Sequence, residues 1–209
     1  MGKNKRKPGT WLMTGGLLLI AAALLLTGYN LWDEWRAGQT AQQVLEQMPV
    51  IAERQEPSPD PDEQEIPDYL LNPDMEMPTV EIDGNDYIGT LDIPRLNISL
   101  PIMSEWSDAK LKITPCRYAG TAYRSGFVIS GHNYRRHFGP LGRIAPGDRV
   151  TFTDVDGNVF AYNVAEIQIL KPTAVEDMVS EDWDLSLFTC TLGGRTRLTV
   201  RCDRAEAGG

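Results

Sequence analysis

The chain has 209 residues, of which 42% are apolar and 23% charged, enough for one ordinary domain and unlike either a disordered polymer or a disulfide miniprotein. Its net charge of −9 is unevenly placed: residues 1–10 carry Lys3, Lys5, Arg6 and Lys7, residues 53–86 hold twelve acids against Arg54 alone, and residues 87–209 hold fourteen bases and fourteen acids. With no basic face on this neutral block, nucleic acid is not an expected partner.

Trp11 to Trp32 contains no charge in 22 residues, which at the helical rise is roughly 33 Å, about one hydrocarbon core. The four bases before it and Asp33 and Glu34 after it predict an uncleaved single-pass anchor with a cytoplasmic basic tail (1–10), a membrane span (11–32) and everything downstream outside the cell. A cleaved signal peptide is the competing reading, but the apolar run is longer than a usual one and no clear small-x-small site follows it. Residues 36–52 predict a short amphipathic helix with Val44, Leu45 and Met48 at helical spacing, read as a solvated stalk. From Glu53 to Asp86 six prolines and the acids predict an extended tether, so residues 33–86 form a stalk and linker. Within it, residues 66–82 are more apolar than a tether needs and are expected to lie against the domain, folded over its cleft.

From Tyr87 to Arg204 strand patterns dominate, with 205–209 left as a tail. Asn97–Met103 alternates Ile98, Leu100 and Ile102 with polar or small residues, and Arg149–Val155 and Asn158–Val164 are joined by the hairpin signal Asp156-Gly157. Phe127–Ser130 is a short apolar run, and Leu185–Cys190 with Arg197–Arg201 makes a last pair. Short helices are expected only at 107–113 and 174–179. About eight short strands with so little helix predict an all-β, closed or nearly closed barrel.

Three cysteines, Cys116, Cys190 and Cys202, leave at least one thiol unpaired or paired between molecules in an exported chain. A two-residue turn at Gly193-Gly194 would set Leu192 opposite Arg195, Thr191 opposite Thr196 and Cys190 opposite Arg197, with Cβ atoms about 5 Å apart. A guanidinium there favours the thiolate and can donate to the oxyanion that forms when sulfur attacks a carbonyl. Acyl transfer also needs a proton carrier. Of two histidines, His132 ends the apolar run after Gly131, whereas His137 lies in a polar loop. His132 is the candidate general acid and base, and Asn133 and Thr189 are candidates for orienting a substrate. Cys202 shares a face with Leu198 and Val200, as packing requires, and Cys116 is read as a loop residue; a disulfide between these two is not derivable from the sequence. With two histidines and no clustered acids or thiols near them, no metal site is expected, and no cofactor is implied.

These residues resemble the sortases, membrane-anchored cysteine transpeptidases of Gram-positive bacteria. The family's Thr-Leu-x-Thr-Cys motif reads Ser186-Leu187-Phe188-Thr189-Cys190, with Ser as a mild departure. Its strand-then-Gly-His motif matches Ser130-Gly131-His132, and its arginine, followed by an apolar-x-Val run, falls on Arg197. Tyr87-Ile88-Gly89 with Asp92-Ile93-Pro94 resembles the opening strand. The likeness implies an eight-stranded sortase-type β-barrel with one or two short helices over residues 87–204. It further implies that Cys190 attacks an LPxTG-like C-terminal sorting signal, His132 serves as general acid and base, and Arg197 holds the oxyanion. Surface proteins or pilins carrying that signal are the implied partners, with an amine acceptor from a peptidoglycan precursor or a pilin lysine. Family pattern places sequence selection in the connection Lys171–Asp184, too short for a long class B helix. Asp74-Met75 is a poor match to an Asp-aromatic lid, so a class D-like or unassigned sortase fits best. The alternatives are another cell-wall cysteine peptidase, opposed by the order of histidine before cysteine, and a non-catalytic tethered barrel.

Overall fold

The computed structural model describes residues 8–48 and 66–205; the basic tail, much of the acidic tether and the last four residues lie outside them. The chain divides into two compact units after Arg36.

The first helix, α1, is Pro8–Gln47. The expected span and the expected amphipathic segment are one helix, because Asp33 and Glu34 interrupt hydropathy but not helicity, and Arg36 closes an ion pair one turn on from Asp33 at 2.9 Å. The helix is long and apolar enough to cross a membrane, with a mean hydropathy of 1.9 in its apolar window.

In the second unit, residues 37–47 are not a solvated stalk. Ala37, Ala41, Val44 and Met48 are buried, spaced so that they fall on one helical stripe. Val44 and Met48 pack with Ile82, Tyr87, Met103, Leu111 and Cys116 in one apolar cluster. The reason is tertiary: the sheet exposes an apolar patch on its outer side, and this stripe covers it.

The short helix α2 (Asp68–Leu71) precedes nine strands: β1 (Val80–Ile82), β2 (Asn85–Ile93), β3 (Ile98–Met103), β4 (Cys116–Ala119), β5 (Phe127–Ser130), β6 (Arg149–Asp154), β7 (Val159–Leu170), β8 (Leu185–Cys190) and β9 (Arg197–Arg204). Helix α3 (Asp108–Leu111) lies between β3 and β4, and α4 (Val175–Met178) between β7 and β8. The order is β1-β2-β3-β4-β5-β8-β9-β7-β6, and β2 pairs again with β6. Eight strands, β2 to β9, therefore close on themselves, the expected barrel, while β1 pairs with the start of β2 beside β6. Closure removes sheet edges that would otherwise expose unpaired backbone.

Phe127, Ile129, Leu185, Leu187, Phe152, Tyr162 and Val200 fill the interior. The two short helices fall within the predicted windows. The Asp156-Gly157 turn is held by Asp154, whose carboxylate accepts from the backbone N–H of Asp156 and Asn158 at 3.0 and 2.9 Å and from Tyr123 Oη at 3.0 Å. Cys116 is a strand residue rather than a loop residue: it opens β4, opposite Ser130 of β5. Its strand is four residues long with no alternation to betray it.

Residues 66–82 do lie against the barrel: Glu76 pairs with Arg117 of β4 at 3.8 Å, and Tyr69 packs at the end remote from Cys190. Tyr69 stacks on Tyr123, with ring centroids 4.9 Å apart, and meets the edge of Phe160 at 5.2 Å. Arg204, at the far end of β9 from Arg197, sits over that same Phe160 ring at 5.2 Å. Seven residues of strand separate Arg204 from Arg197, about 23 Å.

Candidate active site

The rim is built from three neighbouring strands. β5 and β8 run parallel, with Phe127 beside Leu185 and Ser130 beside Phe188, and the N–H of Gly131 extends the ladder to the carbonyl of Phe188 at 3.1 Å. His132 and Cys190 lie two residues beyond Ser130 and Phe188, the last register pair of β5 and β8. On the other side, Cys190 pairs with Arg197 as the last register pair of β8 and β9. Register therefore places Cys190 opposite Arg197 of β9 and leaves His132 on the chain that continues β5, the strand on the other side of β8.

The turn beyond this pair differs from the expected one while keeping its register. Gly194 donates to the carbonyl of Thr191 at 2.8 Å, so the reversal is centred on Leu192-Gly193, and Thr191 still faces Thr196, their hydroxyls 2.8 Å apart. Gly193 and Gly194 have φ of +81° and +70°, a region that costs glycine nothing. The longer loop turns two carbonyls inward, and Arg197 Nη1 donates to those of Gly194 and Thr196 at 3.1 and 3.3 Å. The guanidinium is thereby tethered to its own turn.

His132 is half-buried and opens the loop leading to Phe138. The N–H of Phe138 donates to the carbonyl of His132 at 3.0 Å. Phe138 is fully buried, its ring lying where a side chain on Gly131 would be, 2.7 Å from such a Cβ. A glycine before the histidine is what lets the loop fold back this closely. The imidazole of His132 stacks on Tyr134 at 4.8 Å, and Tyr134 in turn meets His137 at 5.4 Å. His137 is buried, with neither ring nitrogen hydrogen-bonded. Burial, and then the neighbouring His132, push its pKa down to about 4.

Alternation along β8 puts Leu185, Leu187 and Thr189 on the interior face and Ser186, Phe188 and Cys190 on the outer one. Thr189, read as a substrate contact, is 3% exposed with its Oγ1 unpartnered, so its hydroxyl is turned away from Cys190. The same alternation was visible in the sequence. Asn133 is exposed at the start of the loop after His132.

Cys116 and Cys202 are free and fully buried, in two different apolar clusters. Burial pushes both thiols up to about 12, which leaves them protonated and inert at neutral pH. Cys190 is the half-buried thiol.

Two features of the outer face go beyond the expected site residues, the first at Arg201, which the sequence puts on the Arg197 face either as its support or as a solvated residue. Arg201 is 1% exposed and donates to Ser186 Oγ at 2.8 Å, Gln168 Oε1 at 3.0 Å, the carbonyl of Met178 at 3.2 Å and the carbonyl of Asp177. It fastens α4, and with it the connection between β7 and β8, onto the sheet. Secondly, Phe188 meets the edge of Tyr118 at 5.2 Å, and Tyr118 meets Trp106 at 5.8 Å. This aromatic row leads from the cysteine strand to a groove of about 530 Å³ lined by Ser104, Trp106, Arg117 and Tyr118 among others. Tyr118 lies in the strand whose pattern was too short to read.

Comparison with known proteins bears on the fold. The Sortase domain family model matches residues 91–205. Sortase C1 from Streptococcus suis is 27% identical, covering 59% of this chain and 75% of that one, with a TM-score of 0.52. Sortase C1 from Streptococcus agalactiae is 26% identical over 61% and 72% of the two chains, with a TM-score of 0.54. Sortase A from Corynebacterium diphtheriae shares the fold at 24% identity over 59% and 63%, with a TM-score of 0.54. No curated protein matches the chain. A closed eight-stranded barrel and a family match spanning more than half of the sequence lead to one conclusion: the chain belongs to the sortase family, enzymes of the cysteine transpeptidase type.

Proposed function

We propose that Cys190 is the nucleophile, His132 the general acid and base, and Arg197 the oxyanion donor in transpeptidation of proteins bearing an LPxTG-like C-terminal sorting signal. Sulfur of Cys190 attacks the scissile carbonyl carbon, and Arg197 donates hydrogen bonds to the oxygen as it becomes negative. The C–N bond then breaks, and His132 passes its proton to the departing amine. The enzyme is left as a thioester. An incoming amine, from a wall precursor or a pilin lysine, loses a proton to His132 and attacks that carbonyl; the C–S bond breaks and the thiolate returns.

The single observation that supports this reading is the register: Cys190 is paired with Arg197 on β9, and His132 follows β5, the strand that flanks β8 on its other side. A guanidinium suits the oxyanion role because it presents several donors in a fixed fork. Asn133 is placed to orient the peptide beside His132, whereas Thr189 is left out because its hydroxyl faces the interior. The basic residues before α1 and the acids after Trp32 put the N-terminus in the cytoplasm and the barrel outside. Incubating the full chain in neutral detergent with five-residue sorting peptides and a free amine, read by mass spectrometry, tests this. A peptide joined to the amine is expected, and absence of both thioester and product across the peptide set would remove the assignment.

A further inference from the structure

General acid and base work by one side chain requires its ring to hold a single plane through two proton transfers. The loop that carries His132 has a closed backbone. The N–H of Phe138 donates to the carbonyl of His132 at 3.0 Å, and the N–H groups of His137 and Gly139 both donate to that of Tyr134, at 3.0 and 2.9 Å. A Cβ on Gly139 would stand 2.7 Å from the carbonyl oxygens of Asn133 and Tyr134, so glycine is what lets the loop close. The backbone fixes where the His132 side chain begins but not where its ring points, because the terminal torsion of a histidine is broad. A row of rings supplies the missing restraint. His132 stacks on Tyr134, with centroids 4.8 Å and planes 22° apart, and Tyr134 meets His137 at 5.4 Å and 42°.

The row ends on a wall. His137 is fully buried with neither ring nitrogen hydrogen-bonded, so its polarity adds no stability that a hydrocarbon ring would lack. Burial, and then the neighbouring His132, hold its pKa at about 4, which leaves it uncharged at neutral pH and acting by shape. Beside it lies the backbone of Ala37. One residue on, Gly38 receives the stem of Arg136: a Cβ there would stand 2.1 Å from Arg136 Cδ and 3.1 Å from its Cβ. Ala37 and Ala41 are 2% and 3% exposed, and this stretch of α1 belongs to the same unit as the barrel. We propose that Tyr134 and His137 are positioning residues for the reaction, Tyr134 by fixing the plane of the His132 imidazole and His137 by backing Tyr134 against residues 37 and 38 of α1. The proposal rests on the acid and base role given to His132 and deepens it. Neither residue touches substrate in this scheme, so their loss falls on kcat rather than on KM.

Two measurements on the full chain in neutral detergent test it: steady-state turnover of a Leu-Pro-x-Thr-Gly peptide with a free amine, and NMR of the two histidine rings. Tyr134→Leu, which keeps bulk and loses the ring, should lower kcat about tenfold or more with KM within about twofold, while Tyr134→Phe should stay within about threefold of the parent. His137→Ala should lower kcat about tenfold, and His137→Phe by less than about twofold. The His132 ring-proton resonance, identified by its survival in His137→Phe, lies over the face of Tyr134; it should move downfield in Tyr134→Leu and stay in Tyr134→Phe. Unchanged protection of Cys116 and Cys202 from alkylation verifies the barrel of each variant. Where Tyr134→Leu or His137→Ala loses that protection, Tyr134→Met or His137→Leu replaces it with the same outcome expected. A leucine variant with the parent's kcat, a rise in KM at unchanged kcat, a phenylalanine variant that falls as far as the leucine one, or a resonance that Tyr134→Leu leaves in place would each overturn the proposal. A parent that turns over no sorting peptide would remove the role of His132 and the positioning with it, a failure told apart from the others because the resonance reads the ring stack without turnover.

Discussion

The three cysteines sit in two kinds of surroundings. Cys116 and Cys202 are pushed up to about 12 by burial, while Cys190 is half-buried beside a cation on the rim. Alkylation of the native protein at neutral pH should therefore add one group, lost in Cys190→Ala and kept in Cys202→Ala; two or three additions by mass would mean that the buried thiols are accessible. On the role proposed for Arg197, Arg197→Lys should lower kcat/KM about a hundredfold or more, since one ammonium cannot hold both turn carbonyls and an oxyanion. Turnover within threefold of the parent would strip Arg197 of that role. His137 makes a pH prediction. Its folded pKa of about 4 lies below the ordinary value of about 6.5. Between these values the unfolded chain binds a proton that the folded chain does not, so stability is lost as pH falls from about 7 to about 4, by an amount of the order of 3 kcal/mol. Denaturation of His137→Leu across that range should show a shallower decline than the parent, and an identical decline would place the sensitivity elsewhere.

At the scale of the element, the connection between β7 and β8 depends on one side chain from β9. Arg201 is hydrogen-bonded to two carbonyls of α4 and to Ser186. Replacing it by Met leaves those acceptors buried without donors, and a cost of about 3 kcal/mol is expected, read as a lowered urea midpoint, with earlier proteolysis within residues 171–184. A midpoint unchanged to within 0.5 kcal/mol equivalent, about the spread of surface changes, would show that α4 holds itself. The hairpin of β8 and β9 makes the opposite point. Its register was readable because two adjacent glycines mark the reversal and one-residue slips would turn Leu187 and Val200 outward, even though the reversal itself is longer than two residues. β4 was not readable: Cys116–Ala119 is paired on both sides but too short to show a period.

Across the whole molecule, the segment before the barrel divides its duties. Tyr69 caps the end remote from Cys190 through Tyr123 and Phe160, so Tyr69→Ala should lower stability by about 1–2 kcal/mol while leaving kcat for peptide cleavage within twofold. A several-fold gain in kcat would instead mean that the segment restrains the rim. Residues 37–48 cover the outer side of β1 to β4, packed against the sheet where a solvated stalk was expected. Local pattern was sufficient for the apolar run of α1, the alternation of the long strands, the closed barrel and the pairing of Cys190 with Arg197, because each rests on residues near in sequence or on a two-residue period. The burial of His137, the work of Arg201 and the docking of Val44 and Met48 were decided only in three dimensions. Each depends on which surfaces the closed sheet brings opposite one another, and a helical stripe or a lone polar side chain carries no mark of its partner until those surfaces meet.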